Sequence, residues 1–159
     1  MKGDFGESLA NILLGQYTPQ GQLFETIAIG GKWPTIDIYA EATSVNGGKI
    51  FCFFQVKSTE AGYTTRGKLK VQATKKHLER LASFNAPTYL IGVDLNTTNP
   101  PLSVGFIKTI RGNQATGISS MDIAHPINGA NLILLKNEIE AFWNALNPLN
   151  QKAIYQTNF

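Results

Sequence analysis

The sequence has few of the residues from which small proteins build disulfides and zinc sites. Its 159 residues include one cysteine, Cys52, and two histidines, His77 and His125. A single cysteine excludes an internal disulfide, and two distant histidines do not form a zinc pattern. Cys52 lies among apolar residues of a predicted strand. We therefore expect a small core residue in a reduced, cytoplasmic protein.

Long apolar runs are also absent. No segment approaches the ~18 consecutive apolar residues that a membrane-spanning helix needs. Asp4 and Glu7 follow the first lysine without an apolar run, which is not the pattern of a signal peptide. With 43% hydrophobic and 16% charged residues, the composition is typical of a soluble globular protein. The length predicts a single domain over residues 1–159.

A predicted β-hairpin over residues 35–57 is the most informative stretch. Residues 35–42 alternate between apolar and polar side chains, as a half-buried strand requires. Residues 50–57 form a nearly continuous apolar run, which is typical of a central strand covered on both faces. That run nevertheless ends in Gln55 and Lys57, and a buried charge needs a partner. Asp37, on the polar face of the preceding strand, is the expected partner.

The length of the hairpin loop decides whether these side chains can meet. Asp37 shares a face with Gln55 and Lys57 only if it lies opposite an odd-numbered residue, and this requires a connection with an odd number of residues. A regular two-residue turn would put Asp37 on the other face. We therefore expect a three- or five-residue loop, or a β-bulge, over residues 45–48, with a glycine at positive φ.

The other predicted elements follow from hydrophobic periodicity. Helices are expected over residues 4–14, 71–84 and 137–146, and strands over residues 23–29, 88–94, 102–110 and 131–135. In the first helix we expect Asp4 as the N-cap and Gly15 just after the C-terminus. Its main apolar stripe is expected to comprise Phe5, Leu9, Ile12 and Leu13.

The net charge of +3 is unevenly distributed along the chain. Residues 57–80 contain seven basic residues and two acidic ones. Such a cluster can contact phosphate groups, or it can be a solvated surface without a partner, and the sequence leaves both interpretations open.

Glu7, Asp37 and the Gln55-Val56-Lys57 triplet together resemble the motif of the PD-(D/E)XK nuclease superfamily. The glutamine form is similar to that of Mrr-like restriction endonucleases and of a related family of small uncharacterised bacterial domains, whose first helix also carries a glutamate. The resemblance covers roughly residues 3–110. It implies an α/β fold with a restriction-endonuclease-like αβββαβ core, in which helices flank a mixed central sheet.

This resemblance implies a Mg²⁺- or Mn²⁺-dependent endodeoxyribonuclease with Glu7, Asp37, Gln55 and Lys57 as catalytic residues. Asp37 would bind the metal directly, with the Gln55 side-chain oxygen and the Val56 carbonyl as further ligands. Lys57 would orient or help deprotonate the attacking water. Glu7 would assist the metal site or hold a second ion. For the Glu7 carboxylate, a purely structural role in the first turn of a helix remains an alternative.

The resemblance also implies DNA as the partner. The basic residues expected to contact it are Arg66, Lys68, Lys70, Lys75 and Lys76. No membrane association is expected, and we expect a homodimer or a higher homo-oligomer. Because Gln55 is uncharged, the metal would be held weakly unless Glu7 compensates. Two alternatives therefore remain: a catalytically inactive nucleic-acid-binding domain on the same fold, and an interaction module in which Asp37 and Lys57 form only an ion pair.

Overall fold

The computed structural model describes residues 2–30, 33–96, 104–112 and 116–146. The elements in these ranges are α1 (Lys2–Leu14), β1 (Tyr17–Thr18), β2 (Gly21–Gln22), β3 (Glu25–Ala28), β4 (Ile38–Thr43), β5 (Lys49–Thr59), α2 (Lys75–Ala82), β6 (Thr88–Asp94), β7 (Gly105–Thr109) and α3 (Gly129–Leu146). β1 and β2 pair with each other, and the other five strands form one sheet in the order β3-β4-β5-β6-β7. Only β5 and β6 pair in parallel within that sheet. The fold is thus mixed α/β with a mixed sheet.

β5 is a central strand of this sheet, as its apolar composition predicted. It pairs with β4 on one side and with β6 on the other. Its side chains Cys52, Phe54 and Val56 are buried in a core shared with α1 and α3. Phe53 packs on the opposite face, in a cluster that contains Leu78 of α2. α1 and α3 therefore cover one face of the sheet, and α2 covers the other.

Trp143 of α3 covers a free edge of β5. β6 begins opposite Phe53, so among the described strands none pairs with the first residues of β5 on that side. The Trp143 indole N–H donates to the Phe51 carbonyl at 2.9 Å, and the two ring centroids lie 4.5 Å apart. The indole thereby satisfies a backbone acceptor that β6 does not reach.

α1 begins earlier than predicted. The helix starts at Lys2, which places Asp4 within the first turn, so the predicted N-cap role of Asp4 is wrong. Gly15 directly follows the last helical residue, as predicted. Leu9 and Leu13 pack against the core, as predicted.

Two residues of the predicted apolar stripe of α1 do not face the core. Phe5 and Ile12 are 60% and 69% exposed, whereas Gly6 and Ala10 are buried. A Cβ atom added at Gly6 would lie 2.6 Å from the Cβ of Ser58 in β5. The helix thus approaches the sheet more closely than large side chains allow, and small residues occupy the contact.

α2 begins four residues after the predicted start. Thr74 caps it, with its hydroxyl oxygen accepting from the His77 N–H at 3.4 Å. Just before the cap, Ala73 exchanges two backbone hydrogen bonds of 2.9 and 2.8 Å with Ile118. This pairing holds the preceding segment extended and prevents an earlier helix start.

The predicted strand over residues 131–135 is wrong, and so is a helix start at Asn137. This segment belongs to α3, which begins at Gly129. The Asn128 side-chain oxygen accepts from the Asn131 N–H at 2.9 Å, as an N-cap residue does. The apolar run continues with helical spacing into the next turns, which buries Leu132, Leu135 and Ile139.

The predicted strands over residues 23–29 and 88–94 correspond to β3 and β6, and β6 has the predicted bounds. β7 lies within the predicted strand over residues 102–110, of which residues 102 and 103 are outside the described ranges. None of the described helices is long and apolar enough to cross a membrane.

Candidate active site

The loop between β4 and β5 has the predicted odd length. The strands pair in a register that sets Ile38 opposite Phe54. The Ser44 N–H donates to the Gly48 carbonyl at 2.8 Å, which leaves a three-residue loop between these two residues. Gly47, in that loop, has a φ of 82°. Of the predicted alternatives, the three-residue loop is therefore the one observed, and the predicted glycine at positive φ is confirmed.

This register brings Asp37 to the end of the hairpin beside β5. Asp37 directly precedes Ile38, whose partner Phe54 is next to Gln55 in β5. The Asp37 N–H donates to the Phe54 carbonyl at 2.9 Å, and its carboxylate Oδ2 accepts from the Val56 N–H at 2.6 Å. The Asp37 carbonyl accepts from the Ile29 N–H at 2.8 Å. Bonds to β5 and to the residue after β3 thus fix the Asp37 backbone, and one carboxylate oxygen is anchored.

A strained turn leads into Asp37. Thr35 has a φ of 82°, in the left-handed region that β-branched residues rarely adopt. Such a residue costs on the order of 1–3 kcal/mol and persists only where the surrounding structure imposes it. Backbone strain of this kind clusters at functional sites, and here it lies two residues before the candidate metal ligand.

Gln55 is buried, and its side-chain oxygen is unpaired. The residue is 2% exposed, and Oε1 has no hydrogen-bond partner among the described residues. An unsatisfied buried acceptor costs about 1–3 kcal/mol. A bound cation or a donor on a ligand would satisfy this oxygen. Gln55 therefore has the chemistry expected of a ligand-binding residue rather than of a core residue.

The peptide group of Val56 faces the same region as the Asp37 carboxylate. The Phe53 N–H donates to Pro87 before β6, and the Thr59 carbonyl accepts from Leu95 after β6. In a β-strand the N–H and the carbonyl of one residue point to the same side, and successive residues alternate between the two sides. Phe53 and Thr59 point toward β6, so both groups of Val56 point toward β4. The predicted Val56 carbonyl ligand is therefore directed toward Asp37.

Glu7, Asp37 and Lys57 form one electrostatic cluster. Burial raises the pKa of Asp37, and the Val56 hydrogen bond and the Lys57 charge partly oppose that rise. Burial also raises the pKa of Glu7, with repulsion from Asp37 and Asp4 adding to the rise and Lys57 opposing it. The protein thus holds two carboxylates where their negative charge is unfavourable, a condition that a bound cation relieves.

The donor atoms in this cluster are all oxygens. The described residues include no group of three or more His, Cys, Asp and Glu side chains that could hold a metal ion. The candidate set instead combines the two carboxylates of Glu7 and Asp37 with the Gln55 amide oxygen and the Val56 carbonyl. Oxygen donors of these kinds suit Mg²⁺ or Mn²⁺ and not zinc. The unpaired Gln55 Oε1 is compatible with such an ion, although the set carries few negative charges to hold it.

His77 interacts electrostatically with Asp37, an interaction that the sequence did not indicate. It lies exposed in the first turn of α2, and its charge lowers the pKa of Asp37. Its neighbour Leu78 packs in the same cluster as Ile36, which places the start of α2 beside the Asp37 segment. The sequence does not indicate this interaction, because nothing in it shows where α2 crosses the sheet.

The basic residues near the site lie in two segments. Arg66 and Lys68 belong to a turn in which the Thr64 N–H donates to the Lys68 carbonyl at 2.8 Å. Lys68 also forms an ion pair of 3.0 Å with Asp122, and in α2 Lys75 pairs with Glu79 at 3.4 Å. The exposed members of the predicted set are Arg66, Lys70, Lys75 and Lys76.

Comparisons with protein-family models, with curated proteins and with solved structures found no match.

Proposed function

We propose that the protein is a Mg²⁺- or Mn²⁺-dependent endodeoxyribonuclease that hydrolyses DNA phosphodiester bonds. The observation that carries this proposal is the placement of the unpaired Gln55 Oε1 across the hairpin from the anchored Asp37 carboxylate. Both residues belong to the motif that resembles the PD-(D/E)XK nucleases. Lys57 and Glu7, the other residues of that motif, interact electrostatically with Asp37.

The order of the elements supports a restriction-endonuclease-like core. α1 precedes the three antiparallel strands β3, β4 and β5, and α2 then connects β5 to the parallel strand β6. This is the αβββαβ order that the resemblance implies. β7 and α3 follow as additions to that core.

Each residue of the site would have a distinct role. Asp37, Gln55 and the Val56 carbonyl would hold the metal ion, which when bound supplies Lewis-acid stabilisation of charge on the phosphate. The Lys57 ammonium would orient the attacking water and balance the negative charge that develops in the transition state. Glu7, whose raised pKa lies nearer to neutral pH, is suited to accept a proton from that water.

DNA would lie across the surface that carries the basic residues. Lys70, in the segment between β5 and α2, and Lys76, in the first turn of α2, are exposed and would contact backbone phosphates. These contacts position DNA without reading its sequence. We include a homodimer in this proposal, because two copies of the site would allow both DNA strands to be cut.

A plasmid-nicking assay tests the proposal. The wild-type protein is expected to relax supercoiled plasmid in the presence of Mg²⁺ and to stop when EDTA is added. Lys57→Met is expected to abolish cleavage while circular dichroism shows an intact fold. Lys49→Met is a matched control, because Lys49 lies at the other end of the same strand. Cleavage by Lys57→Met at the wild-type rate would contradict the proposed roles.

A catalytically inactive DNA-binding domain is the second candidate function. It is favoured by the small negative charge of the site, since the described residues lack a third acidic metal ligand. Salt-dependent DNA binding without metal-dependent cleavage by the wild-type protein would select this alternative. The absence of both activities would leave an interaction module.

A further inference from the structure

A cleft separate from the candidate active site lies between α3 and the edge of the sheet formed by β6 and β7. Its volume is about 200 Å³. Its walls include Tyr89, Ile107, Thr109, Leu135 and Glu138. Tyr89, Ile107 and Leu135 belong to the core on the α1 and α3 face of the sheet, whereas Phe53 of β5 packs on the α2 face. Ligands smaller than a typical drug molecule match a cleft of this size.

Glu138 is held at the cleft through one of its two carboxylate oxygens. The Tyr89 hydroxyl donates to Glu138 Oε1 at 3.0 Å, and the Thr109 hydroxyl donates to the same oxygen at 3.4 Å. Tyr89 is only 1% exposed, and burial together with the Glu138 charge raises its pKa, which keeps the hydroxyl protonated as a donor. Oε2 of Glu138 has no hydrogen-bond donor among the described residues. The geometry thus orients a carboxylate whose second oxygen is available to a ligand.

Asn131 and His125 are further polar side chains of the cleft, and both can donate as well as accept hydrogen bonds. Asn131 lines the cleft, and its Nδ2 donates to the Pro126 carbonyl at 2.7 Å. This bond uses one of the two Nδ2 hydrogens, so the second hydrogen and the side-chain oxygen of Asn131 remain available to a ligand. Lys108 and Arg111 line the adjoining hollow and not this cleft. The preference of the cleft for a cation therefore rests on the Glu138 carboxylate, and Asn131 and His125 do not distinguish a donor from an acceptor.

The apolar part of the lining sets the other requirement. Ile107 and Leu135 form buried walls, and Leu134 is 62% exposed at the rim. Apolar walls with a few convergent polar groups are typical of small-molecule sites. A ligand that matches this cleft has a compact apolar stem and a cationic group that donates hydrogen bonds.

We propose that this cleft binds a small amphipathic amine, with its ammonium group on Glu138 Oε2 and its apolar stem against Ile107 and Leu135. This site is independent of the proposed nuclease activity. A charge-assisted hydrogen bond is about twice as strong as a neutral one and provides the selectivity for cations. The apolar contact provides affinity but does not distinguish an amine from an alcohol of the same shape.

Isothermal titration of the full chain with 2-phenylethylamine tests this site, with neutral 2-phenylethanol as the shape-matched comparison. The amine is expected to bind in a 1:1 ratio, and the alcohol at least ~10-fold more weakly, since a hydrogen bond to a charged group contributes about 1.5–3 kcal/mol. Glu138→Gln is expected to weaken amine binding by a similar factor. Glu25→Gln is the matched control, because Glu25 lies on β3 at the opposite edge of the sheet.

Three results would overturn the inference: no saturable binding of the amine, equal binding of amine and alcohol by the wild-type protein, or unchanged amine binding by Glu138→Gln. The comparison of the two ligands needs no variant, so it tests the preference of the cleft for an amine even if Glu138→Gln fails to fold. If that variant does fail, Thr109→Val is the substitute. It removes one hydroxyl that orients Glu138 and should weaken amine binding while binding of the alcohol is unchanged.

Discussion

Replacing Thr35 by glycine should make the protein more stable. Thr35 has a φ of 82° and lies in the turn that leads into Asp37. Glycine adopts this conformation without steric cost, and β-branched threonine does not. The usual expectation for a Thr→Gly change is the reverse, because glycine gains more conformational freedom in the unfolded chain.

The magnitude follows from these two opposing effects. Relief of strain at a left-handed non-glycine residue is worth about 1–3 kcal/mol. The added entropy of glycine in the unfolded chain costs about 0.5–1 kcal/mol. The net stabilisation is therefore about 0–2.5 kcal/mol, and Tm should rise by about 2–4 °C for each kcal/mol in a chain of this length.

Urea denaturation of Thr35→Gly, followed by circular dichroism, measures this effect. Thr43→Gly provides the matched control, because Thr43 ends β4, is exposed and lacks a positive φ. That variant should lose about 0.5–1 kcal/mol of stability. Under the proposed function, Thr35→Gly should also cleave DNA more slowly, since the turn no longer constrains Asp37. If Thr35→Gly loses as much stability as Thr43→Gly, the strain argument is wrong.

Three further predictions concern charge and packing. Burial raises the pKa of Asp37, so the stability linked to this shift is fully present below the ordinary carboxyl pKa and is lost as pH rises through the folded-state pKa. Metal-free Asp37→Asn should therefore be more stable than wild type at neutral pH. The variant should also gain less stability from Mg²⁺ in thermal melts. Neutralising Lys68, Lys70 and Lys75 together should lower the slope of log K for DNA binding against log salt concentration by up to ~3. An unchanged slope would identify these lysines as a solvated surface. Trp143→Phe should cost at least ~1 kcal/mol in urea denaturation, because the Phe51 carbonyl loses its donor; no loss would mean that water replaces the indole.

The central hairpin could be predicted from sequence because several constraints agree there. Alternation assigned the faces of the first strand, and the need to place Asp37 beside Gln55 required an odd loop, which the glycines of residues 45–48 permit. β6 was equally predictable. Its apolar run begins just after Pro87 and is buried along its whole length.

The helices were harder to predict because tertiary contacts decide them. The run from Leu132 to Leu135 fits a strand or a helix, and only its continuation to Ile139 distinguishes the two. In α1, hydrophobicity alone predicts that Phe5 is more deeply buried than Gly6. The close approach to Ser58 nevertheless selects the smaller residue, and the sequence does not reveal that approach.

The site was predictable only in part for the same reason. Asp37 directly precedes β4, and Gln55 and Lys57 lie on the adjacent strand β5, so the register of the hairpin brings Asp37 to this part of β5. The approach of His77 to Asp37 depends on the path of α2 over the sheet, for which a single sequence provides no signal.

The most direct test of the proposed metal site is a crystal structure of the protein grown with Mn²⁺ and measured for anomalous scattering. We expect a peak within coordination distance of an Asp37 carboxylate oxygen and of Gln55 Oε1, on the side to which the Val56 carbonyl points. Gln55→Leu crystals grown under the same conditions should show a weaker peak. No peak at this position under saturating Mn²⁺, or a peak bound only elsewhere on the protein, would contradict the proposed site.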